Sequence, residues 1–116
     1  MALRGQQEIL ERAKGRLDRL ALYPRPVSIA RVRVVVAPRA FALPWLRRFD
    51  GYAAWGTILL RSRPTGAHDD LVCHELCHDW QMQNHPFRMP LSYLRSGYAR
   101  NPFEAEARRA VESTRA

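Results

Sequence analysis

Apolar residues recur at helical spacing between Gln6 and Leu22, where Ile9, Leu10, Ala13, Leu17 and Leu20 form one stripe among Glu8, Glu11, Arg12, Arg16 and Arg19. The spacing predicts an amphipathic first helix with one weak interior point at Gly15. Tyr23-Pro24-Arg25-Pro26 stops it, because proline cannot continue the hydrogen-bond ladder and pushes the residue before it toward extended geometry. The period then changes. Val27 to Val36 alternates and is rich in β-branched residues, which predicts a strand, and Tyr52 to Arg61 reads as a second extended run. Pro38 to Asp50 connects them, with a short helical turn around Trp45-Leu46-Arg47.

Helical signals return after the turn residues of 61–66. A helix is predicted from Ala67–Asp70, where Asp69 and Asp70 suit a positive helix N-terminus, to Gln83, with Asn84-His85-Pro86 breaking it. Leu91 to Tyr98 reads as a short helix closing at Gly97, and a last helix runs from Asn101-Pro102 through Val111. There is no internal repeat and no flexible linker. The expectation is a single α+β domain over 1–116, with an N-terminal helix and two or three short strands.

Composition narrows the class. With 116 residues and 47% hydrophobic content there is room for one core, and no run of about 20 apolar residues crosses a bilayer, so no membrane partner is expected. The first residues lack the apolar segment of a secretory signal, and the two cysteines, Cys73 and Cys77, do not form a disulfide framework, so a cytoplasmic location is expected. A net charge of +8 attracts anions. The arginines are nevertheless scattered from Arg4 to Arg115 beside a single lysine, Lys14, which argues against a nucleic-acid interface.

The chemistry concentrates in His74-Glu75-Leu76-Cys77-His78. On a helix, His-Glu-x-x-His projects two imidazoles from adjacent turns, close enough to share one zinc ion, while the intervening glutamate reaches the catalytic water without ligating the metal. Glu75 is then the general base. Cys73, Leu76, Cys77 and Trp80 follow the i, i+3, i+4, i+7 rule and should face the core, with His74, His78, Gln81 and Met82 on the neighbouring stripe. Both cysteines are expected to pack as small hydrophobes, in preference to a closed site of two cysteines and two histidines. Two core histidines satisfied by hydrogen bonds are the plainer alternative.

A catalytic zinc needs a third protein ligand. His85 lies eleven residues after His74, while the metzincin pattern would put a glycine and a histidine where Gln81 and Asn84 stand. In the last helix Asn101 suits the N-cap, Pro102 the first helical position, and Glu104 a capping role at N3. Glu106 shares a stripe with Phe103, Ala107 and Ala110, and is preferred over Glu104 and His85 as the ligand. Asp79, Gln81 or Asn84 is expected to orient the imidazoles.

His-Glu-x-x-His followed by a glutamate on a later helix resembles the gluzincin metallopeptidases. The short N-terminal helix, few strands and small size resemble their minimal single-domain members, the minigluzincins, and the Tyr98–Ala107 stretch, Tyr-x-x-Asn-Pro-Phe-Glu-x-Glu-Ala, resembles the second motif of small bacterial and phage metallopeptidases. The resemblance covers roughly 32–111. It implies a Zn2+ cofactor held by His74, His78 and Glu106, and peptide-bond hydrolysis with a protein or peptide substrate. It further implies an oxyanion-stabilising Tyr98, with Tyr93 behind it, and a cleft lined by the strand before the active-site helix, Trp55 to Arg61. A latent form, with the tail after Val111 filling the cleft, is also implied. A SprT-like DNA-associated peptidase shares the helix motif but expects a histidine farther downstream, and a non-catalytic zinc-stabilised binding module is the remaining alternative.

Overall fold

The computed structural model describes residues 4–48, 51–54, 56–62, 68–97 and 100–115. The first helix, α1, spans Arg4–Asp18 and buries Ile9, Leu10, Ala13 and Leu17, the stripe anticipated from its spacing. It ends four residues before Leu22. Asp18 draws the chain back, accepting a hydrogen bond from the Val27 backbone N–H on one carboxylate oxygen and an ion pair from Lys14 on the other. That return turns 19–26 into a loop with Ala21 in the left-handed region.

The strand predicted over Val27 to Val36 shortens to β1, Arg33–Val36, because Val27 is committed to the core and a turn closes from Ile29 to Val32. A 3-10 turn at Pro38–Ala42 follows. The second extended run is a hairpin of β2, Gly51–Ala54, and β3, Thr57–Leu60. Gly56 supplies the positive φ of the turn, +79°, and a Cβ there would stand 3.0 Å from the Arg31 carbonyl oxygen. Trp55 lies outside the described residues. β3 occupies the middle of the sheet, parallel to β1 with Val34 opposite Ile58 and antiparallel to β2 with Tyr52 opposite Leu59. Its two edges are therefore taken, and a strand over Trp55 to Arg61 cannot offer a free edge to a cleft. Among the described residues the free edges belong to β1 and β2.

The helix α2, Asp69–Asn84, packs against α1, the last helix and β2. Cys73, Leu76, Cys77 and Trp80 are at most 1% exposed, so the predicted stripe is the stripe that is buried, and both cysteines are free thiols in the core. The short helix α3 spans Arg88–Ser96 and stops at Gly97, φ +71°. The last helix, α4, spans Pro102–Thr114 and carries Ala107, Ala110 and Val111 into the same core. The outcome is a small α+β domain, as the periodicities predicted. No helix among the described residues is long and apolar enough to cross a membrane.

Candidate metal centre

Because α2 buries the 73/76/77/80 stripe, its neighbouring stripe falls at the rim of the core, and His74 and His78 come out there one turn apart. Their rings meet nearly edge to face, and their Nε2 atoms are 3.2 Å apart. From α4, Glu104 brings one carboxylate oxygen to 2.6 Å from His74 Nε2 and the other to 3.0 Å from His78 Nε2. The ligating atoms of the three residues all lie within 4.8 Å of one another. Ligands about 2.0–2.1 Å from a tetrahedral ion stand roughly 3.3 Å apart, so the histidine pair is already at that spacing and the carboxylate has only tenths of an ångström to yield. Two imidazoles and a carboxylate on one point fit a metal ion; the His74, His78, Glu104 group can hold one.

The carboxylate is Glu104 and not Glu106, which corrects the assignment from sequence. Asn101 does cap α4, accepting from the backbone N–H groups of Phe103 and Glu104. The Glu104 side chain does not reach back to complete a capping box, however. It opens the buried stripe 104, 107, 111, 114 and is 1% exposed. The stripe through Phe103 and Glu106 is rotated one position away, and both residues are only half-buried. Glu106 instead accepts from the Tyr23 hydroxyl and from Gln81 Nε2.

Glu106 thereby acts on the centre at one remove. Gln81 is fully buried, and its Nε2 donates to the Phe103 carbonyl at 2.8 Å and to Glu106 at 3.0 Å. With both amide hydrogens spent, Gln81 Oε1 must be the atom 2.8 Å from His78 Nδ1, which makes Nδ1–H the donor. Nε2 is left to face the cluster. Of the three residues named for orienting the imidazoles, Gln81 does so. Asn84 instead donates to the Trp80 carbonyl, while Asp79 is buried with Oδ2 lacking a hydrogen-bond partner.

The electrostatics follow from the packing. Burial pushes Glu104 upward, but hydrogen bonds from His74, His78 and Tyr93 outweigh it and hold the carboxyl well below its ordinary range. Burial presses the His78 imidazolium down, yet its bond to Glu104 and the charges of Glu75 and Glu104 raise it overall. Asp79 is pushed up to about 6 by burial, against a backbone hydrogen bond from Gly56.

Glu75 is buried beside His74 on the wall of a cleft of about 350 Å³, bordered also by Arg48, Gly51, Leu71 and Arg108. β2 approaches closely there, since a Cβ on Gly51 would stand 3.2 Å from Leu71. Tyr93, on the inner face of α3, donates to Glu104 Oε2 at 2.9 Å and so supports the carboxylate. Tyr98 lies outside the described residues. His85 is the C-cap of α2, set between the rings of Tyr23 and Phe103 and away from the cluster. The thiols of Cys73 and Cys77, both raised chiefly by burial, take no part in it either.

The described part of the segment after Val111, residues 112–115, runs along the border of the cleft, where Glu112 and Arg115 line it. It forms the last turn of α4, held by Arg16, which donates to the Val111 carbonyl and the Thr114 hydroxyl while pairing with Asp70. Arg115 then pairs with Asp70 at the cleft's border. No family model, curated protein or solved structure matches this chain.

Proposed function

We propose that this chain is a zinc-dependent peptidase domain in which His74, His78 and Glu104 hold the ion and Glu75 is the general base. The convergence of two imidazole Nε2 atoms and a buried carboxylate beside a second, cleft-lining glutamate carries the reading. Zinc, when bound, supplies the Lewis acidity that brings water's proton within range of a carboxylate base near neutral pH. Glu75 takes that proton as the water attacks the peptide carbonyl, then delivers it to the departing amine. Gln81 and Tyr93 keep His78 and Glu104 aimed. The outer edge of β2, beside the cleft at Gly51, offers main-chain hydrogen-bonding groups to an extended substrate.

Two measurements test this. Metal content should be close to one zinc per chain in the wild type, lost in His78→Ala and Glu104→Ala, and retained, with weaker affinity, in Glu106→Gln. Glu75→Gln should keep zinc and fold while abolishing cleavage of a peptide library. Zinc retained in Glu104→Ala, or equal cleavage by wild type and Glu75→Gln, overturns the assignment. The small size of the cleft favours a second reading, a zinc-stabilised binding module; wild-type protein that carries zinc yet cleaves nothing in the library would support it.

A further inference from the structure

A short surface helix normally turns its apolar side inward, and α3 does the reverse with part of its length. Met89 is buried, Ser92 accepts from Asn101 and Tyr93 reaches Glu104, so positions 89, 92 and 93 define the inner face. On the opposite side Phe87, Leu91 and Leu94, spaced i, i+4, i+7, are 80%, 51% and 83% exposed. Three large apolar side chains in one stripe facing water mark a contact surface, unlike apolar residues scattered singly.

The charges beside the stripe indicate what it meets. Arg88 and Arg95, seven residues apart and both exposed, fall on the same flank of the apolar stripe at helical spacing. From 80 to 103 the sequence has three arginines, Arg88, Arg95 and Arg100, and no aspartate or glutamate. The chain as a whole carries +8. A partner must therefore accept apolar side chains while presenting negative charge. The stripe projects from a convex helix, so the partner takes it up by yielding around it. A bilayer interface with anionic headgroups does both, admitting Phe and Leu to the acyl boundary while arginines beside them reach the phosphates.

We propose that the outward face of α3, Phe87, Leu91 and Leu94 with Arg88 and Arg95 along one flank, docks the domain peripherally on an anionic lipid surface. Docking there would hold the inner face of the same helix, and with it the Glu104 centre, one helix diameter from the headgroups. The proposal does not rest on the centre holding zinc.

The test is co-sedimentation of the full chain with vesicles of phosphatidylcholine alone and of an equimolar phosphatidylcholine and phosphatidylglycerol mixture, at low and high salt. The protein should bind the mixed vesicles, bind pure phosphatidylcholine far less, and dissociate as salt rises. Leu91→Gln with Leu94→Gln should weaken binding roughly tenfold or more, and Arg88→Gln with Arg95→Gln should remove most of the salt-sensitive part. All four side chains are exposed, so the variants should melt like the wild type; if the leucine pair disturbs the fold, the arginine pair and the wild-type salt titration decide. Failure to bind the mixed vesicles, or binding unchanged in the folded leucine pair, overturns the proposal. So does sedimentation equilibrium showing a wild-type dimer that the leucine pair dissociates, because a second copy would then be the occupant.

Discussion

Gln81→Met isolates the contribution of the amide that orients His78. Methionine is unbranched and close in volume, so the fully buried site stays filled while all three hydrogen bonds vanish. The partners lose unequally. Glu106 keeps the Tyr23 hydroxyl, whereas His78 Nδ1–H is left in a buried place without an acceptor. One unsatisfied buried polar group costs about 1–3 kcal/mol, which lowers Tm by an amount on the order of 5–10 °C in a domain of this size. Metal binding is weakened as well, because an imidazole free to rotate or change tautomer presents the wrong nitrogen part of the time. Losing such an orienting partner costs about 10–100-fold in affinity, or ~1.4–2.7 kcal/mol. Competition against a chromophoric chelator measures the affinity, and nitrogen chemical shifts of His78 in the zinc-free protein report its tautomer. An affinity within twofold of wild type, with the Nδ1–H tautomer intact, would refute the reasoning.

Asp79→Asn should stabilise the zinc-free protein above neutral pH. The folded carboxyl, held at about 6, keeps its proton where the unfolded one, near its ordinary value of 3.8, has released it. Its penalty is absent below about pH 4, grows as pH rises to 6, and reaches roughly 2–3 kcal/mol above that; urea unfolding with equal gains at pH 4.5 and 7.5 would contradict this. Gly56→Ala should cost about 2 kcal/mol through its positive φ and the Arg31 carbonyl. Gly15→Ala, in mid-helix with open space around the new methyl, should gain up to about 1 kcal/mol, and chemical denaturation of the pair checks both signs. Arg16→Met should lower stability by about 1–3 kcal/mol by freeing the end of α4, seen as faster amide exchange at 111–115; unchanged exchange there would show that Arg16 is not the clamp.

The core of this fold was readable because burial and periodicity coincide: 9, 10, 13 and 17 in α1 and 73, 76, 77 and 80 in α2 are buried where their spacing put them. The histidine pair came with α2, since i and i+4 fix two side chains on one face whatever surrounds them. The third member of the cluster depended instead on the rotation of α4 about its axis. Two stripes competed there, and the capping rule claimed Glu104 while the Phe103 stripe promoted Glu106. The spacing of Glu104, Ala107, Val111 and Thr114 was the available signal, and its two polar members hid it. The edge strand was misplaced for another reason. A ten-residue extended run does not show by alternation that it folds back at Gly56, and the sheet order that puts β3 in the middle is a long-range fact. The Tyr23, Glu106, Gln81, His78 chain joins positions up to 83 residues apart and left no local trace.

Two of the three candidate donors stand on α2, whose Val72, Cys73, Leu76, Cys77 and Trp80 all join the core cluster, and the other stands on α4, which packs over it. The imidazoles are then fixed to the best-buried part of the interior, whereas a local opening of 101–114 would carry the carboxylate away from them. Loading and unloading of the ion should be governed by how often that flank breathes, and the slowest step in demetallation should respond to changes at Asn101, Tyr93 and Arg16 more than to changes inside α2.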